Sequence, residues 1–183
     1  MKQIFAAGGK LFLICAVAAV TLAGVNAITE PVIQQRSVEE LGRALSALAA
    51  GVDSASAVPV AEEGIVRAYY PLKDSGQFIL ELVGTGYGGD MKILAFFEGS
   101  GTVLDVRLMD NLETPGLGKK AELPDYMLKF KGSGGPDAPV PVRKDMLAAS
   151  EADAITGATI TFVGVAKALE RGAEFVREVS DAQ

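Results

Sequence analysis

The chain has 183 residues, with 17 Lys and Arg against 23 Asp and Glu, so its formal charge is −6 and its length suits one ordinary domain plus an appendage. Residues 1–29 hold Lys2 and Lys10 and no acid, leaving 15 basic against 23 acidic residues beyond them, a net of −8 that repels phosphate backbones and argues against a nucleic-acid partner. There is no histidine and a single cysteine, Cys15, which excludes Ser-His-Asp and Cys-His catalysis, His- or Cys-ligated metal centres, protein-held iron–sulfur clusters and disulfide frameworks.

Leu11 to Thr29 is a stretch of 19 residues without a charge. As a helix it would be about 28 Å long, close to the ~30 Å hydrocarbon core of a bilayer. Lys2 and Lys10 precede it and Glu30, Glu39 and Glu40 follow, so the basic end is expected in the cytoplasm and the bulk of the chain outside. Val25-Asn26-Ala27 is a passable cleavage site, but a signal peptide carries a shorter apolar region, and length favours an anchor. Cys15 follows the bulky Ile14, unlike a lipid-attachment site, and reads as an ordinary small apolar residue.

Pro31 predicts a bend or a new helical start, and Val38, Leu41, Leu45 and Leu48 predict an amphipathic helix over 32–49. Ala49–Val60 reads as a linker, and the globular part starts near Ile65. Strands are predicted at Gln77–Val83, Met91–Glu98 and Thr102–Met109, the last two joined as a hairpin through Gly99-Ser100-Gly101. A short helix over Leu123–Phe130, a loop over Gly132–Pro141 with a short strand near Val140–Arg143, and a helix over Ala158–Val179 complete the series. In that last helix Val165, Leu169, Ala173 and Val176 make the buried stripe. Strands in meander order with helices at the edges argue an α+β class: one transmembrane helix, then one globular domain with an antiparallel sheet and flanking helices. The domains expected are an anchor over 1–29, a juxtamembrane helix and linker over 30–64, and the globular domain over 65–183.

Three motifs draw attention. Gly84-Thr85-Gly86-Tyr87-Gly88-Gly89 matches G-x-G-x-x-G after a strand, but a dinucleotide site needs a helix to open there, and MKILAFF reads as a strand. It is a hairpin loop whose glycines could also let a flat ligand approach, with Tyr87 to stack on it. Glu113-Thr114-Pro115-Gly116-Leu117-Gly118 contains the Pro-Gly of a type II turn and, alone, is either a plain turn or one wall of a binding site. Asp153-Ala154-Ile155-Thr156-Gly157-Ala158-Thr159-Ile160-Thr161, with three hydroxyls in six residues, stands at the start of the last helix. Its hydroxyls either cap that helix or mark a seat for a phosphate on free N–H groups, and the spacing alone leaves both open.

Together the motifs carry a resemblance. D-A-I-T-G-A-T at Asp153–Thr159 resembles the D-x-x-[ST]-G-A-T flavinylation signal of the FMN-binding domain family, and E-T-P-G-L-G at Glu113–Gly118 resembles that family's flavin-facing loop, in the same order and spacing. N-A-I-T-x-P at Asn26–Pro31 resembles the N-terminal signature of the G subunit of Rnf electron-transport complexes, and Gly86–Gly89 falls where those proteins have a glycine-rich turn. The C subunit of the sodium-pumping quinone reductase shares these motifs on a longer chain. Two departures stand out. Asn111 occupies a position where the family often has histidine, and Thr156 takes the hydroxyl position of the signal, where its hydroxyl is kept.

The resemblance implies FMN held by a phosphoester to Thr159, attached by a separate flavin transferase from FAD with magnesium. Asp153, Thr156, Gly157, Ala158, Glu113, Thr114, Pro115, Gly116, Leu117, Gly118, Tyr87 and Gly88 would surround it. No side chain is assigned as catalytic and none as a metal ligand. The flavin would do the redox work while the protein sets its position and potential. By the same resemblance the chain is expected to be an enzyme subunit, not catalytic alone, that relays electrons in an ion-translocating ferredoxin:NAD oxidoreductase coupled to Na+ or H+ transport, held in the inner membrane among other membrane subunits. The alternatives are a stand-alone anchored flavoprotein and a non-redox scaffold whose T-G-A-T merely caps a helix.

Overall fold

The computed structural model describes residues 2–49, 52, 56–61, 63–72 and 75–182. The chain divides into two compact units, Met1–Leu41 and Gly42–Gln183. From Lys2 onward the first unit is helix, the greater part of α1, Lys2–Leu48. Gly8–Leu48 contains the one helical stretch among the described residues that is long and apolar enough to cross a membrane. Leu11, Phe12, Ile14, Leu22 and Ile28 are all exposed, as suits side chains that meet lipid.

Pro31 corrects an expectation, because it lies inside α1 and no new helix begins there. Proline removes one N–H and crowds the preceding turn, at about 3 kcal/mol, which a long helix absorbs when the turns on both sides remain bonded. The stretch expected as a separate helix over 32–49 is thus the last third of α1. Its Ala44 and Leu45 are buried and belong to the second unit.

The second unit is built on a five-stranded antiparallel meander in the order β1-β2-β3-β4-β5. The strands are β1 Val58–Pro59, β2 Val66–Leu72, β3 Gln77–Thr85, β4 Asp90–Glu98 and β5 Val103–Asp110. The last three match the strands expected from periodicity to within two residues at each end. Two strands escaped the sequence reading. Pro59 and Pro71 argue against strand, yet β1 is an edge and covers only Tyr69 and Ala68 of β2, so Pro71 pairs with Phe78 on one side and needs no donor on the other. Of the expected linker over Ala49–Val60, residues 50, 51 and 53–55 lie outside the described residues, and Val58–Pro59 is strand.

After β5 come a 3-10 turn at Gly118–Glu122, the short helix α2 Pro124–Met127 continued as 3-10 through Phe130, and a 3-10 turn at Lys144–Met146. No strand forms near Val140–Arg143; Pro141 cannot donate to a ladder, and Val140 instead buries its side chain from an irregular segment. Two helices follow, α3 Ala149–Ala154 and α4 Thr159–Asp181. The α+β class and antiparallel sheet expected from the sequence are those observed.

One face of the sheet carries Phe78, Leu80, Leu82, Met91, Ile93, Ala95 and Phe97 into the core. Phe162, Val165, Leu169, Ala173 and Val176 of α4 meet them at helical spacing, each fully buried apolar side chain contributing about 1.5–3 kcal/mol. Glycines bring α4 down onto the strands. A side chain at Gly84 would stand 2.8 Å from the Gly164 carbonyl oxygen, and one at Gly172 would stand 2.9 Å from the Phe97 ring. This close approach fixes the start of α4 over the β3–β4 hairpin, where the sequence motifs converge.

Candidate functional site

The turn between β3 and β4 is tight: the Gly86 N–H donates to the Gly89 carbonyl at 2.8 Å, and Gly89 adopts φ 136°, a region that favours glycine. A strand follows it at Asp90, so the helix that a dinucleotide site requires is absent. Tyr87 projects from the tip, three-quarters exposed.

The loop after β5 contains the expected type II turn. The Leu117 N–H donates to the Thr114 carbonyl at 3.2 Å, and Gly116 sits at φ 79°. Asn111, at the position where histidine is frequent, anchors this loop at its base. Its Oδ1 accepts the Glu113 N–H at 3.0 Å, and its Nδ2 donates to Glu122 Oε1 at 2.9 Å. That amide donor, first, and the Lys119 ammonium nearby hold the Glu122 carboxyl below the usual carboxylate range.

The start of α4 decides one question that spacing left open. The helix is preceded by Gly157 at φ 85° and by Ala158, whose side chain cannot cap. Neither threonine replaces it: Thr156 Oγ1 lies 3.2 Å from Lys144 Nζ and 3.4 Å from the Ala152 carbonyl. Thr159, the first residue of α4, is exposed, and its hydroxyl has no hydrogen-bond partner among the described residues. The T-G-A-T segment therefore does not act as a side-chain cap. It leaves an unbonded hydroxyl beside the free N–H groups and positive dipole end of a 23-residue helix.

Glu113 ties these pieces together. Expected as a neighbour of the flavin, it is turned inward and only 4% exposed. One carboxylate oxygen accepts the Gly88 N–H at 3.1 Å and the other accepts the Thr161 hydroxyl at 2.9 Å. A side chain at Gly86 or at Gly118 would collide with that carboxylate, and one at Gly88 with the Leu112 carbonyl. The glycines on both sides thus make room for Glu113, a packing role that the sequence reading did not see. Burial, and then the neighbouring Glu113 charge, raise the pKa of Tyr126, which stays a neutral donor to the Ala158 carbonyl at 3.2 Å.

The two main motifs meet directly: a side chain at Gly157 would stand 3.1 Å from Leu117 Cδ2. Thr114, Pro115, Gly116 and Leu117 are exposed and Gly118 is buried, while Asp153 is exposed on α3 and Ala158 is buried. Beside Thr159 a cleft of about 450 Å³ opens between the ends of the strands and α4, walled by Ile65, Val83, Ile160 and Val163, with Thr85 and Lys167 among its polar groups. Tyr126 and Lys144 carry no motif in the sequence, and Thr161 belongs to the helix-start motif without being expected beside the flavin. Thr161 lies two residues past the T-G-A-T signal on the opposite side of the helix, and helical periodicity could have paired it with the core-facing stripe.

Thr159 is the one expected site residue that lines this cleft, and its free hydroxyl beside the uncapped helix start fits an anionic group. Residues 86–174 match the FMN-binding domain. The chain is 30% identical over 178 residues to the G subunit of the proton-translocating ferredoxin:NAD(+) oxidoreductase complex of Clostridium ljungdahlii, covering 96% of this chain and 92% of that protein. It is 34% identical over 180 residues to the G subunit of the ion-translocating oxidoreductase complex of Cereibacter sphaeroides, covering 90% and 80%. With the corresponding G subunit of Escherichia coli K12 it shares 37% identity over 121 residues, 62% of this chain and 57% of that protein. An FMN-binding fold after a membrane-length helix, with relatives of this kind along nearly its whole length, makes the chain a member of the G-subunit family of ion-translocating oxidoreductase complexes.

Proposed function

We propose that this protein is the flavin-carrying relay subunit of an Rnf-type ferredoxin:NAD oxidoreductase that couples electron transfer to Na+ or H+ translocation, with FMN joined to Thr159 by a phosphoester. The observation that carries the reading is the exposed, unbonded Thr159 hydroxyl at a helix start that no side chain caps. An ester phosphate there retains a negative charge, which the first N–H groups of α4 stabilise. Gly157 adds no bulk over the approach, and Leu117 beside it offers an apolar surface for the ring. Thr114, Pro115, Gly116 and Tyr87 complete the exposed surroundings, and Gly88, Gly118 and Ala158 supply backbone beneath them.

Attachment needs a second protein. The chain has no histidine, and no basic side chain is hydrogen-bonded to the Thr159 hydroxyl among the described residues. A flavin transferase would join the threonine oxygen to the FMN phosphorus of FAD as the phosphoanhydride breaks, AMP leaves and the hydroxyl proton is released. Asp153 and Thr156, exposed just before Thr159, are placed for recognition by that enzyme. Bound FMN supplies one-electron redox chemistry, and the protein supplies the tether, the apolar contact and the local charge.

The basic residues Lys2 and Lys10 before the apolar stretch favour a cytoplasmic N-terminus, with the flavin domain on the outer face of the inner membrane. A covalent tether there prevents cofactor loss where no FMN pool replaces it. Other membrane subunits of the complex are the expected partners. The test is production with an active flavin transferase, followed by denaturing electrophoresis and membrane co-purification. Flavin fluorescence that stays with the band, in a protein isolated with other membrane subunits, is the expected result. A dark band alongside a labelled control protein rules out the flavoprotein reading. A fluorescent band isolated alone, under conditions that keep such complexes intact, rules out the complex.

A further inference from the structure

Glu113 is an unusual residue for a domain interior: a buried carboxylate with no ion pair among the described residues. A buried carboxylate without a cation is costly and persists only where hydrogen bonds compensate it closely. Both of its oxygens are so bonded, and each donor comes from a different segment. Gly88 belongs to the β3–β4 turn, Thr161 to the first turn of α4, and Glu113 itself to the loop that carries Leu117. The glycines at 86 and 118 are emptied of side chains on either side of the carboxylate.

We propose that Glu113 is a positioning residue for the flavin threonine: its carboxylate clasps the glycine turn, the 111–118 loop and the start of α4, and as an anion without a cationic partner it shares the positive end of α4 with the group carried on Thr159. The second half rests on Thr159 carrying flavin; the first concerns the protein with or without it. The geometry sets the clasp's requirements. Two acceptor oxygens must reach donors on opposite sides, which aspartate, shorter by one methylene, cannot do from the same backbone. Glutamine can: its carbonyl accepts the Gly88 N–H, and its amide donates to the Thr161 oxygen, because a hydroxyl works in either direction. Glutamine removes the charge and keeps the clasp, so the two roles separate.

The test compares the full-length chain with Glu113→Ala, Glu113→Asp and Glu113→Gln. Amide hydrogen exchange at Gly88 is first read without flavin. Ala and Asp are expected to speed it about tenfold or more, the size of a lost charge-assisted hydrogen bond, and Gln to hold it near the native value. The extent of labelling by the flavin transferase is then expected to fall severalfold in Ala and Asp and to recover in Gln. The midpoint potential of the labelled Gln variant is expected to lie above that of the native chain, because a nearby negative charge no longer opposes reduction. Native exchange at Gly88 in Glu113→Ala would overturn the clasp, and an unchanged potential in labelled Glu113→Gln would overturn the electrostatic part. A native chain that takes no flavin defeats the functional reading and the electrostatic part, while the exchange result still decides the clasp.

Discussion

The two ends of α4 are fastened to the sheet by the same kind of device with opposite charge. At the far end, the Gly99-Ser100-Gly101 hairpin turn and the loop at Gly134 meet Arg177, whose Nη1 donates to the Gly134 carbonyl at 2.7 Å. At the near end, the Gly86–Gly89 turn meets Glu113, and the carboxylate binds Thr161 in the first helical turn. An anion at the N-terminal end and a cation toward the C-terminal end both follow the helix dipole, though Arg177 lies more than a turn from the end and gains less from it. The difference is in what each end leaves over. Arg177 closes the far end with a bond to a carbonyl, whereas the near end uses Glu113 for closure and leaves Thr159 exposed and unbonded. Fastening thus falls to Thr161 of the helix start, while Thr159 two residues before it is left free.

That contrast can be broken at several points. The largest stability effect is expected from Gly118→Ala, about 3 kcal/mol, because the new methyl meets the Glu113 carboxylate with no room on either side. Gly101→Ala at the far end is also costly, since its φ is 87° and its methyl would stand 2.6 Å from Arg177 Nη1 and 2.9 Å from the Ala173 carbonyl oxygen. Double-mutant cycles in denaturant distinguish the two. Gly118→Ala and Glu113→Ala should couple by about 1 kcal/mol or more, because deleting the carboxylate relieves the closest approach and leaves only the residue 113 Cβ at 2.8 Å. Gly101→Ala and Arg177→Ala should be closer to additive, since the backbone strain and the Ala173 carbonyl remain.

Arg177→Ala alone is expected to cost about 1–2 kcal/mol and to leave flavin attachment at the native level, measured by denaturant unfolding and by labelled fraction. A smaller effect, about 1 kcal/mol, is expected from Tyr126→Phe, which loses the bond to the Ala158 carbonyl next to Thr159. Its pH dependence has a definite sign. The folded-state pKa of Tyr126 is raised above its unfolded value, so its contribution is fully present below about pH 10 and fades as pH rises beyond that. The native chain should therefore lose stability above about pH 10 more steeply than Tyr126→Phe, as followed by unfolding midpoints across that range.

Much of this arrangement was legible in the sequence, for identifiable reasons. The three central strands and α4 carry strong apolar periodicity, and Gly-Ser-Gly and Pro-Gly specify turns through local backbone chemistry alone. What stayed hidden depends on partners distant in sequence. β2 contains Pro71, which is acceptable only because β1 is too short to need its donor. Pro31 suggested a break that the continuity of α1 overrides. At the site, the turn and helix start could be placed, but the inward course of Glu113 could not, because its two donors lie 25 residues before and 48 residues after it. The choice between cap and free hydroxyl at Thr159 was equally closed to spacing, since it turned on where Thr156 found its partners.

The most direct measurement is the intact mass of the full chain produced with an active flavin transferase, beside Thr159→Ala and Thr156→Ala. A gain of about 440 Da, FMN less one water, is expected in the native chain and absent from Thr159→Ala, with both proteins unfolding at similar temperatures. Thr156→Ala tests the neighbouring hydroxyl and should still accept the same mass at Thr159, at a lower fraction. The same gain in Thr159→Ala, or its complete absence from the native chain while a control protein is labelled, would contradict the assignment of Thr159 as the flavin threonine.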